Sequence, residues 1–414
     1  MKIISSASLL VLLTALFICS CGPAATTTGK RTSDSISQLP AKNIIKREDQ
    51  KLDLYAPGIM VGKTLYICGH GDFKPGEDYS VKTRGCLDGI GRTLKMAGLG
   101  FENVVQTWVM LEDMTKMEEM NRTFAEYFPN NPPARTTFGA AQIPGESEME
   151  ITAIAYADLS ERKILGETGR LFSSGVLAGN TLYIAGKGSA LPDGKHPPTF
   201  EEQVRQAMRK VGDTLRMSGL DYRHVVCSNV YIDNYDNYGI VNKVYSEFFE
   251  FGNEPARLTI FSDEIPGGSH IEITCIATTD LATRRVVRPS SMIYGPEGLA
   301  MTRSPAVWAG NTLYMSYQTG YVPGKGIIST DLGNQFRQMA RNHYDVLDEA
   351  GLKHSDIVWG HVFLRDVNDY GEMNKIYREY FTNPPGVRTC FQPNWGYEKN
   401  DILVRSLFIA ARCQ

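Results

Sequence analysis

Excess charge of one sign, metal-binding spacings and long apolar runs are what this 414-residue chain lacks. Its 43 basic and 46 acidic residues are interspersed and leave a formal charge of -3, so there is no basic stripe and nucleic acid is not an expected partner. The eight cysteines include no CxxC pair, and none of the seven histidines stands at zinc-binding spacing from them, so no metal is expected. His343 falls on the apolar face of a helix and His70 in a "GHGD" turn, where structural roles are expected. The one sustained apolar run, from Ile3 to Ile18 behind Lys2, is too short to span a bilayer and reads as a secretory signal.

What is present begins with that run's end, "ICSCG", in which small Ser20 precedes Cys21. This resembles the lipobox of bacterial lipoproteins, which implies residues 1–21 as signal and lipobox and an acylated Cys21. The expectation is an exported, membrane-anchored protein, periplasmic or on the cell surface, touching membrane only through the lipid. A plain cleaved signal peptide is the alternative. Residues 22–51, rich in Thr, Ser, Gly and Pro at their start, read as a tether. Cys68, Cys86, Cys227, Cys275, Cys390 and Cys413 remain; an exported protein can oxidise them, but Cys68, Cys227 and Cys275 lie in apolar strand-like runs that favour burial.

Self-similarity appears at a period of about 120 residues. Three copies open on "VGKTLYICG", "AGNTLYIAG" and "AGNTLYMSY", a turn followed by alternating apolar residues. A helix follows each. Thr199 and Glu202 form a capping box ahead of Val204, Met208, Val211 and Leu215; Leu87, Ile90 and Leu94, and Phe336, Ala340, His343 and Leu347, carry the same spacing elsewhere. "AGL" or "SGL" ends all three, with glycine where a left-handed residue is wanted. Then come a strand ("NVVQTWVML", "HVVCSNVYI", "DIVWGHVFL"), a helix ending in "FAEYF", "YSEFF" or "YREYF", a strand led by Arg135, Arg257 or Arg388, and a closing strand.

The order predicted per unit is therefore β-α-β-α-β-β, an α+β fold. Two helices cover one face of such a sheet, so the other face needs a partner. Three units facing one another around a pseudo-threefold axis bury all three inner faces, as a monomeric pseudo-trimer with three clefts that suit small ligands.

The "PAR" strand, the "IP" turn ("AAQIPG", "DEIPGG"), the closing "EITAIA" strand, the "TLYI.G" strand and the "N..Y..FF" helix together resemble the RidA/YjgF imine-deaminase family across residues 52–160, 170–284 and 300–413. The resemblance implies the chorismate mutase-like fold of that family and a trimer written as one polypeptide. It further implies an arginine that holds the carboxylate of a 2-imino acid such as 2-iminopropanoate or 2-iminobutanoate, hydrolysed to the 2-oxo acid and ammonia without a cofactor. A guanidinium binds a carboxylate through two parallel hydrogen bonds and stays charged at any useful pH.

Carried over residue by residue, the resemblance assigns catalytic positions to Arg135, Arg257 and Arg388. Substrate contacts fall on Tyr55, Cys68, Ser316, Cys390 and the asparagines Asn121, Asn242 and Asn374. Phe172 and Arg303 replace Tyr55 in the other copies, and Ala185 replaces Cys68. The water-holding glutamate is expected at Thr152, Thr274 and Arg405 and is missing there. Glu150 and Glu272, two residues earlier on the same strand face, are the local substitutes, about 7 Å from the expected point, while the third copy has Leu403. Two functions follow as expectations: weak or single-cleft imine hydrolysis, or binding of small carboxylates on a non-catalytic scaffold. The competing role for the arginines is a salt bridge across unit interfaces.

Overall fold

A computed structural model describes residues 39–48, 52, 54–72, 76–166, 171–262, 264–290, 302–381, 384–394 and 401–414. The signal segment, Cys21 and most of the stretch read as a tether lie outside the described residues.

Unit 1 runs β1 (Lys42–Ile45), β2 (Gly58–Val61), β3 (Thr64–Gly71), α1 (Tyr79–Met96), β4 (Val104–Leu111), α2 (Met117–Tyr127), β5 (Ala134–Gly139) and β6 (Met149–Tyr156). Unit 2 repeats it with β7 (Arg162–Leu165), β8 (Gly175–Ala178), β9 (Thr181–Gly188), α3 (Phe200–Arg216), β10 (Val225–Ile232), α4 (Tyr238–Ser246), β11 (Ala256–Phe261) and β12 (Ile271–Thr278). Unit 3 has β13 (Arg285–Val287), β14 (Ala306–Ala309), β15 (Thr312–Met315), β16 (Gln318–Thr319), α5 (Leu332–Glu349), β17 (Ile357–Leu364), α6 (Tyr370–Tyr380), β18 (Val387–Phe391) and β19 (Val404–Ala411).

Each unit is a mixed sheet with one order, β1, β2, β3, β6, β4, β5 in the first and its equivalents in the others. Among the strand pairs of the described residues, β4–β5, β10–β11 and β17–β18 are the parallel ones, because a helix carries the chain back between them. Two short strands precede the first long one in every unit, so the pattern is richer than the β-α-β-α-β-β predicted. Four-residue strands around a left-handed glycine (Gly62, Gly179 or Gly310) are too brief for an alternation signal. The edge strand β1 lies within the stretch read as a tether and pairs with β2.

Local chemistry accounts for the helices. Thr199 and Glu202 form the predicted reciprocal cap, and Asp331 caps α5 by accepting from the Asn334 amide at 2.8 Å. The glycines after the first helices, Gly98, Gly219 and Gly351, have φ of 72°, 71° and 71°, the left-handed conformation that ends a helix cheaply only without a Cβ. The apolar stripes of α1, α3 and α5 are buried against their own sheets, including His343, which contacts the Ser406 hydroxyl at 2.9 Å.

The opposite sheet faces meet in one shared core. Trp108 packs on Trp359 with centroids 5.2 Å apart, and Phe138 touches both Tyr231 (4.5 Å) and Phe391 (5.4 Å), joining all three units. Truncating such a side chain to alanine costs about 3–5 kcal/mol. One backbone bond recurs at every junction: Ser173 N to Pro133 O (3.0 Å), Ser304 N to Pro255 O (3.1 Å) and Ala56 N to Gly386 O (3.1 Å). The cycle of units 1 to 2, 2 to 3 and 3 to 1 is thereby closed. All six cysteines of the described residues are free, and Cys68, Cys227 and Cys275 are buried as expected.

Candidate active site

The three arginines occupy one register. Arg135 pairs with Thr107, Arg257 with Ser228 and Arg388 with Gly360, each one residue into the strand at its sheet's edge. That strand packs on the first long strand of the next unit, β5 on β9, β11 on β15 and β18 on β3. The register thus delivers one buried guanidinium to each junction. None makes an interface salt bridge among the described residues. Asn121 Oδ1 accepts from Arg135 at 2.7 Å, Asn242 accepts from Arg257, and the Tyr370 hydroxyl accepts from Arg388 at 3.1 Å. Asn374, expected to act like its two counterparts, instead keeps a buried side-chain oxygen without a partner among the described residues.

The cleft between units 3 and 1 is open. A cavity of about 240 Å³ is lined by Arg388, Cys390 and Tyr370 from unit 3 and by Tyr55, Gly69, Ile143 and Glu150 from unit 1. Arg388 lies over the rings of Tyr377 (4.5 Å), Tyr370 (5.5 Å) and Tyr55 (5.8 Å). Burial pulls its pKa down, but the neighbouring phenols and the Cys390 thiol outweigh this and leave it above its ordinary value. Burial pushes the Glu150 carboxyl up to about 8 against the pull of Arg388. Burial, followed by the charge of Glu150, raises the Cys68 thiol to about 12, which leaves it inert as a nucleophile.

Thr152 and Thr274 stand where the resemblance expects the water-holding glutamate. Thr152 Oγ1 donates to Ile67 O at 2.8 Å and Thr274 Oγ1 to Ile184 O at 2.6 Å, so both hydroxyls are spent on the neighbouring strand. Glu150 lines the cavity with Arg388, so no shift along the strand is needed.

Glycine makes the room, a signal present in "TLYI.G" but not read from it. A Cβ on Gly69 would stand 1.5 Å from Glu150 Oε1, and one on Gly186 1.7 Å from Glu272 Oε1. At the cleft between units 1 and 2, Glu272 accepts from the Thr137 amide and feels Arg135; burial lifts its carboxyl to about 8. Arg135 is stacked between Phe124 (4.8 Å) and Phe172 (5.1 Å), and burial lowers it to about 10.

Unit 3 breaks both halves of that pattern. Tyr317 stands where the glycine does, and the register places Arg405, paired with Phe363 and Thr319 as Glu150 is with Met110 and Gly71, at the glutamate's position, which corrects the expectation of Leu403 there. The strand is interrupted at Ser316 and Tyr317, which separates β15 from β16. At the cleft between units 2 and 3 the described side chains bond to one another. Arg257 donates through Nε to Thr259 Oγ1 (3.1 Å) and through a terminal nitrogen to Thr302 O (3.4 Å). Arg303, in the place of Tyr55, lies 4.5 Å over Tyr317 and hydrogen-bonds both Tyr238 and Tyr317. Burial alone would raise Tyr238, but Arg257 and Arg303 bring it down to about 8. Ser316, expected to contact substrate, accepts from the Arg257 amide at 2.8 Å and donates to Ser304 O at 2.6 Å, which makes it a joint.

The endoribonuclease L-PSP family model matches residues 48–157, 167–279 and 300–398. The chain belongs to that family. The RidA/YjgF resemblance and the three-unit α+β fold are thereby established. Among curated relatives of the family, a "RutC family protein" of Sulfurisphaera tokodaii is 36% identical over 106 residues, 24% of this chain and 85% of that one. The human "2-iminobutanoate/2-iminopropanoate deaminase" is 34% identical over 107 residues, 24% of this chain and 78% of its own. Each match therefore spans one unit. A chorismatase crystal structure aligns with a TM-score of 0.52 at 12% identity, covering 75% of this chain and 94% of that one, a likeness of fold alone.

Proposed function

We propose that this chain hydrolyses small 2-imino acids to 2-oxo acids and ammonia at the cleft between units 3 and 1, with a second site between units 1 and 2. The observation that carries the reading is that the buried Glu150, whose carboxyl burial pushes up to about 8, lines one small cavity with Arg388. Arg388 takes the substrate carboxylate as a fork. Protonated Glu150 gives its proton to the imine nitrogen; water then adds to the carbon and returns a proton to the carboxylate. The resulting carbinolamine receives that proton on nitrogen, the C–N bond breaks, and the hydroxyl proton goes back to Glu150 as ammonia leaves. Water is consumed, no electrons are transferred, and an acid with a pKa near the working pH suits both proton transfers.

The human relative's name, together with the paired glycine and glutamate in units 1 and 2, supports this reading. The bonds of Arg257 to Asn242, Thr259 and Thr302 support a different role between units 2 and 3, in which Arg257 holds the interface and no hydrolysis occurs. Nuclease action finds no physical support, since the net charge is -3 and the open cleft borders acidic residues that repel a polyanion.

Loss of freshly generated 2-iminopropanoate, followed against the spontaneous rate, tests the proposal. Acceleration should survive Glu150→Gln or Glu272→Gln alone in reduced form and vanish in the double variant. No acceleration by a folded protein overturns it. Export with acylation of Cys21 is part of the same proposal, and incorporation of labelled palmitate that is lost in Cys21→Ser would support it. A single-chain mass in sedimentation would support the monomeric pseudo-trimer.

A further inference from the structure

We infer that the cleft between units 3 and 1 selects 2-imino acids whose side chain ends in a cation, through an acidic groove that continues from the Arg388 and Glu150 cavity. The inference rests on the hydrolytic reading above and adds the substrate's side chain to it.

The cavity is not closed. Ile143, Pro144, Gly145 and Tyr370 line it and also line an adjoining groove of about 510 Å³, whose further walls carry Glu112, Glu146 and Glu148. No basic residue lines that groove among the described residues. Glu112 and Glu148 in turn border a third space of about 530 Å³, where Lys116 is the one cation among the described lining residues, beside several carboxylates. Of the groove's acids, Glu148 faces the buried Lys82 at 3.5 Å and Glu112 accepts from the Ile143 amide at 2.6 Å. Glu150 itself is more than nine-tenths buried and lines the cavity beside Arg388. A substrate whose carboxylate is on Arg388 and whose imine faces Glu150 finds room for its side chain at the shared Ile143 to Gly145 wall. Beyond that wall the field favours positive charge.

The neighbouring cleft is an internal control. Its equivalents of Glu112, Glu146 and Glu148 are Asp233, Gly268 and His270, and Asp233 and His270 contact each other at 2.5 Å. Lys187 and Lys210 act electrostatically on Glu272, whereas His70 and Gly89 hold those positions in unit 1. Burial depresses His70 to about 4, so it is neutral. Glu150 thus feels Arg388, whereas Glu272 feels two lysines in addition to its arginine. The acidity belongs to one cleft and is not a property of the repeat.

The test compares imines made from arginine and from citrulline, which match in shape and differ in one charge, using the full chain with Glu272→Gln to silence the other cleft. The guanidinium imine should be favoured in kcat/KM by about fivefold to tenfold, a preference that shrinks with salt and is erased by Glu146→Lys. Acceleration of both imines without preference, or a preference untouched by Glu146→Lys, overturns the inference and leaves the hydrolytic reading standing. Binding of the two corresponding 2-oxo acids by calorimetry gives a readout independent of turnover. Equal affinity overturns the inference, and tighter guanidinium binding in a protein that accelerates neither imine sinks hydrolysis while sustaining the groove.

Discussion

The cleft between units 3 and 1 and the cleft between units 2 and 3 start from the same arginine in the same register and end as opposite things. In the first, Gly69 leaves room for Glu150, Arg388 spends one bond on Tyr370, and a cavity of about 240 Å³ remains. In the second, Tyr317 takes the glycine's place, Arg405 the glutamate's and Arg303 the tyrosine's, and Arg257 bonds to Asn242, Thr259 and Thr302. The lesson concerns pairs. A buried carboxylate needs both a counter-charge and a vacancy, so glycine and glutamate are kept together in units 1 and 2 and lost together in unit 3. The arginine persists in both settings because a guanidinium serves either a ligand or an interface.

That contrast can be broken most severely at its acid. Glu150→Gln with Glu272→Gln is expected to lower the rate of imine loss by about 10²–10⁴-fold, while Arg257→Ala leaves the rate within about twofold; equal losses in the two would erase the distinction. Arg257→Ala should instead lower unfolding free energy by about 3 kcal/mol in urea titration, because it strands the buried Thr259 hydroxyl and the half-buried Asn242 oxygen.

A smaller probe is Gly69→Ala, whose methyl must displace the Glu150 carboxyl. Turnover at that cleft should fall about tenfold in a protein that still melts cooperatively. The equivalent position at the cleft between units 2 and 3 already carries a large side chain, so Tyr317→Phe should change turnover little.

The smallest effect is a slope. Glu150 and Glu272 rise from 4.5 to about 8 on folding, so the folded protein holds protons that the unfolded chain releases between those values. Their stabilisation is complete below about pH 4.5 and is lost as pH rises through about 8, at no more than about 1.4 kcal/mol per pH unit for each group. Unfolding free energy measured from pH 5 to 9 should therefore fall less in the double glutamine variant than in the parent. Turnover should decline above about pH 8 as Glu150 loses its acid form.

Much of this was legible beforehand. Helical stripes such as Val204, Met208, Val211 and Leu215 declared the helices, and the left-handed glycines after them declared their ends, since both signals are local. The edge strands were missed because three or four residues carry too little pattern, and Lys42–Ile45 looked like the end of a tether. The carboxylates were found but placed at a distance from the site. Position along a closing strand does not reveal which of two same-face residues meets the neighbouring unit; Glu150 reaches the cavity, while Thr152 is tied to Ile67 O.

Periodicity and repetition alone determined three α+β units, their helices and the recurrence of one arginine per unit, because these depend on spacing within a unit. Which residues share a cleft, that Glu150 answers Arg388, and that Tyr317 stands at the third site were decided only by tertiary structure. Each such pair joins residues far apart in the chain, and their chemistry depends on volume and burial that exist only once the units have closed on one another.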